Sequence, residues 1–379
     1  MGPLSRLADT AVVLGSCAAA TALATALVRR WSPRLGATSH PTSRSVHERP
    51  TPTLGGAAML VGLLVGLIVA SRLDTFRPVF ANSSEPLGVV FGGMVIFLVG
   101  AVDDLRPLSA PAKLAGQVLA ASILSLLGTT LFYFRIPFVD LFAISPELAP
   151  LVTVAWVVLM ANAVNLIDGL DGLAAGIVAI AGAAFFLYST NLLDAGLISD
   201  ANIGPLLALI AVGLCLGFLP HNVHPARIFM GDSGALLLGM LMAASTISVG
   251  GRVVDQFSGQ TYFFFAPLAI PFVVLGVPLV DLVFSVVRRA TRGARWHQAD
   301  KDHLHHRLMR LGHGHWRSVL ILWAWTAILS VLVLYPTYTG DGDAVVPLGV
   351  LALALLLYTL FSPGLGRRTG SDRAQEGVP

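Results

Sequence analysis

Apolar residues run along this chain in long unbroken blocks, unlike the alternation of a half-buried strand or the one-sided stripe of a surface helix. Eleven blocks of roughly 16 to 23 residues, near the ~20 that a helix needs to cross a ~30 Å hydrocarbon core, lie at Thr10 to Val28, Leu54 to Ala70, Leu87 to Val102, Leu114 to Phe134, Leu151 to Ile167, Leu173 to Thr190, Ile203 to Leu219, Ala235 to Val249, Phe265 to Val287, Val319 to Pro336 and Ala344 to Phe361. In hydrocarbon, a helix satisfies its own backbone groups. The pattern therefore predicts an all-α polytopic membrane protein with about eleven transmembrane helices. Residues 1–363 form one transmembrane unit, and 364–379 are expected to be a disordered tail.

Arg29 and Arg30 follow the first apolar block, where a signal peptide would carry its charges in front. The block is read as an uncleaved span with its N-terminus outside. Eleven spans then place the loops alternately out and in and leave the C-terminus cytoplasmic. Of the 24 Lys and Arg residues, Arg6, Arg72, Arg77, Arg135 and Arg252 fall outside and all the others inside, as the positive-inside rule requires. All ten histidines fall inside too. The chain is 55% apolar and 12% charged, with a mean hydropathy of +0.77, which excludes a soluble globule and makes the lipid bilayer its first partner. Its pI of about 9.1 needs no nucleic acid, because topology alone clusters Arg on one side. Cys17 and Cys215 both lie in apolar blocks, so neither a disulfide framework nor a cysteine metal site is expected.

The inner loops carry the chemistry. The first ends in SVHERPTPTLGG, Ser45 to Gly56, where paired prolines hold an extended segment and paired glycines admit a ligand or a neighbouring helix. An ordinary turn before a span would look the same. The third places Asp103 and Asp104 at the exit of one span and Lys113 at the entry of the next. Adjacent carboxylates repel, and a cation relieves them; the alternative is a solvated helix end. The fifth segment, NAVNLIDGLDGLAAG, spaces Asn162, Asn165, Asp168 and Asp171 by three, which predicts one polar stripe entering the membrane. Carboxylates there cost ~2.5 to 3.5 kcal/mol each unless they line a wet cavity or bind something. An interhelical hydrogen bond would account for Asn162 alone. The seventh loop ends ARIFMGDSGALLLG, with Asp232 and Ser233 at a helix start. They could simply cap it; the favoured reading is that its backbone N–H groups receive phosphate while the carboxylate holds Mg²⁺. The ninth loop holds Lys301, His303, His305, His306 and Arg307, a phosphate-gripping set more than a zinc site, since no thiolates accompany it. Asp281 is a lone acid inside the ninth block.

Acids from three inner segments beside a basic loop describe a metal-assisted phosphoryl-transfer site. In five blocks and in their order, VHERPTPTLGG, the Asp pair, NxxNxxDGLDGLAxG, FMGDSG and DHLHH, the chain resembles the polyprenyl-phosphate N-acetylhexosamine-1-phosphate transferases of glycosyltransferase family 4, from about Arg44 to Arg310. The resemblance implies a multi-pass plasma-membrane enzyme whose active site faces the cytoplasm. It implies transfer of N-acetylglucosamine 1-phosphate from UDP-GlcNAc to a polyprenyl phosphate with release of UMP, as the first membrane step of a surface polysaccharide. Mg²⁺ is the implied cofactor, with Mn²⁺ a substitute, and a homodimer is left open. Residue by residue, it implies that Asp171, Asp232 and Asn165 hold the metal and that Asp103, Asp104 and Asp168 are catalytic. Lys113, His47, Asn162, His303, His305, His306 and Arg307 are the implied substrate contacts. Thr53 departs from the Arg that many members carry before the paired glycines. DHLHHR resembles the UDP-GlcNAc branch more than the phospho-MurNAc-pentapeptide transferases, which stay the alternative. An ion-coupled transporter is the other class, but its acids would spread through the membrane midplane.

Overall fold

The computed structural model describes residues 3–41, 49–81, 83–136, 140–251, 313–339 and 345–361. Its long helices are α1 (Pro3–Trp31), α2 (Gly55–Ala70), α4 (Glu85–Leu105), α5 (Ala110–Leu126), α6 (Ala149–Ile167), α7 (Leu173–Asp194), α8 (Gly204–Asn222), α9 (Gly231–Gly250), α10 (His315–Thr339) and α11 (Val345–Phe361); α3 (Arg77–Phe80) is a single turn. Seven of these are long and apolar enough to cross a membrane by length and composition, and α2, α5 and α11 are shorter apolar helices. The ninth block, Phe265 to Val287, lies outside the described residues, as do the tail, His47, Asp281 and the cluster His303, His305, His306 and Arg307.

The expectation of an all-α chain is corrected in two places. Strands β1 (Thr38–Ser39) and β2 (Thr51–Pro52) pair antiparallel, Thr38 opposite Pro52, and so bring the paired glycines back onto the bundle. The fourth block ends early: α5 stops at Leu126, and the hairpin β3 (Tyr133–Ile136) and β4 (Asp140–Ala143) follows. Its Val, Ile, Phe and Tyr content suits a strand as well as a span, so hydropathy alone does not separate the two.

α9 is the centre of the bundle, its residues from Ser233 onward all buried, with α4 and α6 as its main neighbours. Apolar and small residues cover it on every side, and its buried Ser245 and Thr246 hydroxyls bond to the Gly204 carbonyl and the Trp156 indole. A Cβ at Gly239 would lie 2.5 Å from the Cα of Ala161, so α6 and α9 touch backbone to backbone, as membrane helices do through small residues. The Trp323 indole of α10 donates to the carbonyl of Leu173 at 3.3 Å and seats α10 on α7. The far end of the bundle is held by its own polar pairs: Arg6 with Asp194, and the Thr75 amide with Asp9 Oδ2 at 3.3 Å. The described chain leaves α9 at Gly251 at that far end, where Gly251 O accepts from Phe132 and Tyr133, and reappears at His313 at the other.

Candidate active site

At that other end, the C-terminus of α4 meets the N-termini of α5 and α9. Two carboxylates in the last turn of α4 oppose the helix dipole, and no basic residue of that turn offsets them. Compensation arrives from elsewhere. Asp104 Oδ1 accepts the backbone N–H of Asp232 at 2.8 Å, and its Oδ2 accepts the Ser233 amide at 3.2 Å and the Ser233 hydroxyl at 2.7 Å. Asp104 thus caps α9 from another helix, at the end where the dipole is positive.

This corrects one expectation. The N–H groups of Asp232 and Ser233 at the start of α9 do not face an open phosphate site, because the Asp104 carboxylate already accepts from both. Nor do Asp232 and Ser233 cap their own helix, since Met230 is the N-cap and makes no side-chain capping bond. Glycines make the approach possible: Gly231 has φ +70°, and a Cβ there would lie 2.4 Å from Asp104 Oδ2. A Cβ at Gly100 would lie 2.4 Å from the Ser233 Cα.

The neighbouring acid does something else. Successive helical residues point about 100° apart at ~3.6 residues per turn. Asp103 therefore faces α5: its Oδ1 accepts the Leu108 amide at 2.6 Å and its Oδ2 the Lys113 ammonium at 3.2 Å. Lys113 sits in the first turn of α5, where Ser109 accepts from the Ala112 amide at 3.4 Å. The same ammonium contacts Asp232 Oδ2. Asn165, with its amide turned to suit its neighbours, donates to Asp232 Oδ1 at 3.0 Å and accepts from Lys113 Nζ at 3.2 Å. Lys113, Asp103 and Asp232 retain 18, 20 and 26% side-chain exposure, enough for a ligand to reach them from one side. Asp103, Asp232, Asn165 and Lys113, drawn from four helices, therefore converge on one point.

The stripe from Asn162 to Asp171 does not hold together. α6 ends at Ile167, and a turn with Gly172 at φ +77° leads into α7. Asn162 is drawn to α5, its Nδ2 donating to Gln117 Oε1 at 2.5 Å and to the Val158 carbonyl at 2.8 Å. That is the interhelical pairing an isolated Asn suggests. Asp168 lies in the turn, and burial, with the nearby Asp104 and Asp171 carboxylates, pushes its pKa up to about 7. Without divalent cation it should be protonated below that value and ionised above it. The protonated-carboxyl infrared band lost in Asp168→Asn should follow this titration, and added Mg²⁺ should shift it to lower pH. A band absent at pH 6 would contradict the burial argument. Asp171, implied to hold the metal with Asp232 and Asn165, is not brought to that point: its Oδ2 accepts the Ala226 amide at 3.0 Å and lies 2.8 Å from His224 Nδ1.

Motif reading missed three contributors. Gln117 is a buried amide in an apolar helix, a signal that could have been read. Asn222 is buried, accepts from the Gly172 amide at 3.0 Å and donates to the Ile228 carbonyl at 3.0 Å, and so braces the turn against the α8–α9 loop. His224 was legible only as an inner-side histidine. The paired-glycine loop closes the floor: the Gly55 and Gly56 amides donate to the carbonyls of Phe229 and Met230, both at 3.1 Å. Thr53, the departure from the family pattern, is buried and accepts from Ser32 Oγ at 2.7 Å through its carbonyl.

Comparison with known proteins matches residues 86–250 to the family model described as Glycosyl transferase family 4. The chain is 36% identical over 377 residues to a decaprenyl-phosphate N-acetylglucosaminephosphotransferase of Mycolicibacterium smegmatis, covering 98% of this chain and 92% of that one. It is 37% identical to the protein of that name in Mycobacterium tuberculosis strain H37Rv, covering 92% of this chain and 88% of the other. A probable undecaprenyl-phosphate N-acetylglucosaminyl 1-phosphate transferase of Bacillus subtilis is 34% identical, over 81% of this chain and 79% of the other.

Proposed function

We propose, from the premise that this chain belongs to glycosyl transferase family 4, that it transfers N-acetylglucosamine 1-phosphate from UDP-GlcNAc to a polyprenyl phosphate, releasing UMP. One observation carries the reading: Asp103, Asp232 and Asn165 converge on the Lys113 ammonium at one end of an apolar bundle. An ammonium held by two carboxylates and an amide marks where a cation is stabilised. The donors are hard oxygens, which fits Mg²⁺ with Mn²⁺ as a substitute. Asp232 and Asn165 would hold the ion, and when bound it supplies charge neutralisation for the diphosphate. In the transfer, an oxygen of the lipid phosphate forms the new bond to the β-phosphorus, the bond from that phosphorus to the bridging oxygen breaks, and UMP leaves. Lys113 is placed to neutralise the departing phosphate oxygen. Asp168 is proposed as a proton-exchanging group, Asp104 as the positioner of α9, and the loop with His303, His305, His306 and Arg307, together with His47, as the grip on the nucleotide sugar. Purified protein with Mg²⁺ and decaprenyl phosphate, offered UDP-GlcNAc, UDP-GalNAc or UDP-MurNAc-pentapeptide separately, should release UMP fastest with UDP-GlcNAc; a preference for the pentapeptide donor would move the chain to the other branch.

The reading includes eleven spans, with the site end facing the cytoplasm of the plasma membrane. It is supported by the Lys and Arg bias and by the described chain entering and leaving 252–312 at opposite ends of the bundle. A cysteine at Arg106, in a background lacking Cys17 and Cys215, should resist a membrane-impermeant thiol reagent in intact cells, whereas one at Asp200 should react. The reverse pattern would overturn the topology.

Asp103 is assigned to the lipid side, as a base for the acceptor phosphate or as its positioner. Asp103→Asn should slow turnover by roughly 10²-fold or more if it is a base, with UDP-GlcNAc binding nearly unchanged. A deficit that shrinks from pH 6 to 9 identifies a base, whereas a flat deficit with a raised KM for lipid identifies a positioner. Weakened UDP-GlcNAc binding with normal turnover would sink both.

A further inference from the structure

The polar cluster at the head of α5 continues one turn deeper as a pair of amides. Gln117 is 1% exposed and is the one polar residue among the buried positions of α5, the others being Ala120, Ala121 and Leu124. Its Oε1 accepts from Asn162 Nδ2 at 2.5 Å, and its Nε2 donates to Asn162 Oδ1 at 3.4 Å. Asn162 Nδ2 also donates to the Val158 carbonyl of its own helix at 2.8 Å, so Asn162 is a fixed post and Gln117 follows it. Residues four apart on α5 and three apart on α6 share a helix face. Gln117 and Asn162 therefore form a second rung beneath Lys113 and Asn165.

Simple adhesion is a poor account of this rung. Interhelical hydrogen bonds are weak glue in a membrane, and α5 is already pressed on its other side, where a Cβ on Gly116 would collide with Val99 of α4. What packing leaves free is sliding along the axis, because α5 is rich in small residues, among them Ala115, Gly116, Ala120 and Ala121, which let helices approach closely but offer little relief. A two-pronged amide pair admits one axial setting, and buried polar residues fix register between helices in this way. We infer that Gln117 is a positioning residue of the transferase: held by Asn162, it sets the register of α5 against α6 and so carries Lys113 to Asp232 and Asn165. The inference rests on the transfer reaction proposed above and explains how its cation is aimed. The Lys113 ammonium lies 3.2 Å from Asp103 Oδ2 on α4 and 3.2 Å from the Asn165 side-chain oxygen on α6, and it contacts Asp232 on α9. A slide of one residue moves it ~1.5 Å, and a misplacement of ~1 Å can cost ~10²-fold in rate.

The test compares full-length wild type with Gln117→Met, which keeps the length of the side chain and removes the amide. UMP release per folded protein, at saturating Mg²⁺ and decaprenyl phosphate, should fall at least about tenfold in kcat, a conservative share of the loss expected for a displaced group. The KM for UDP-GlcNAc should stay nearly unchanged, because Lys113 acts on the departing oxygen. Register is read separately, in a background lacking Cys17 and Cys215, as the distance between spin labels at the exposed Leu119 of α5 and Leu151 of α6. Gln117→Met should shift or broaden that distance by about 1.5 Å, the rise of one helical residue. A wild-type kcat in Gln117→Met overturns the inference. So does a lowered kcat with an unmoved distance, which would give the Gln117 amide a direct part in the reaction. If Gln117→Met does not fold, Gln117→Asn, which keeps an amide but draws it back by one methylene, is read in the same two ways. A wild type inactive with every donor sinks the transferase reading, whereas an active wild type beside an indifferent Gln117→Met sinks this inference alone.

Discussion

Asp232→Ala should abolish turnover almost completely while the protein stays folded. Among the described residues its carboxylate is the one that touches both Lys113 and Asn165, so its loss scatters the cation-binding point. Removing one fixed electrostatic partner of a developing charge typically costs ~10²- to 10³-fold in kcat. The fold should tolerate the change because α9 is anchored through the backbone amide of residue 232, which an alanine keeps. The check is UMP release at saturating Mg²⁺ beside a thermal unfolding curve. A variant with more than about a tenth of wild-type rate, when such losses usually reach ~10², would remove Asp232 from the site.

Asp104→Ala should lose activity as well, by a different route. The two α9 amides and the Ser233 hydroxyl lose their acceptor together. Each unsatisfied buried donor costs ~1–3 kcal/mol, less here to the extent that water reaches a half-buried position. The start of α9 should then shift, carrying Asp232 with it, and a misplacement of ~1 Å can cost ~10²-fold in rate. Unlike Asp232→Ala, this variant should unfold at a lower temperature. Asp104→Asn keeps one acceptor oxygen and should recover part of both losses, as a capping role requires. A catalytic role for Asp104 predicts the opposite split: Asp104→Asn as inactive as Asp104→Ala, with an unchanged unfolding temperature.

Much of the fold was legible because hydropathy blocks and helices have the same cause. Ten of the eleven apolar blocks meet a described helix, and the discrepancy at Leu114 to Phe134 arises where β-branched and aromatic residues serve a hairpin as readily as a span. The site was legible in residue type more than in partnership. Asp103 and Asp104 read as one acidic pair, yet helical geometry sends one to α5 and the other to α9. Asn162, Asn165, Asp168 and Asp171 read as one stripe, yet within α6 Asn162 pairs with Gln117 while Asn165 reaches Asp232, and the break after Ile167 carries Asp171 to His224. Spacing along the chain reports which face a residue occupies while a helix lasts, and it carries no information across a helix end. The meeting of His224 with Asp171 depends on how α7 and α8 pack, which no local pattern encodes.

The central claim is that a sugar phosphate moves, not a sugar alone, and the fate of the β-phosphorus tests it most directly. Purified protein in lipid nanodiscs with Mg²⁺ and decaprenyl phosphate should be given UDP-GlcNAc labelled at that phosphorus. The account predicts that the label enters the lipid-extractable product in step with UMP, one for one, and that Asp232→Ala shows neither. Release of UDP with the label left in the aqueous phase would contradict it.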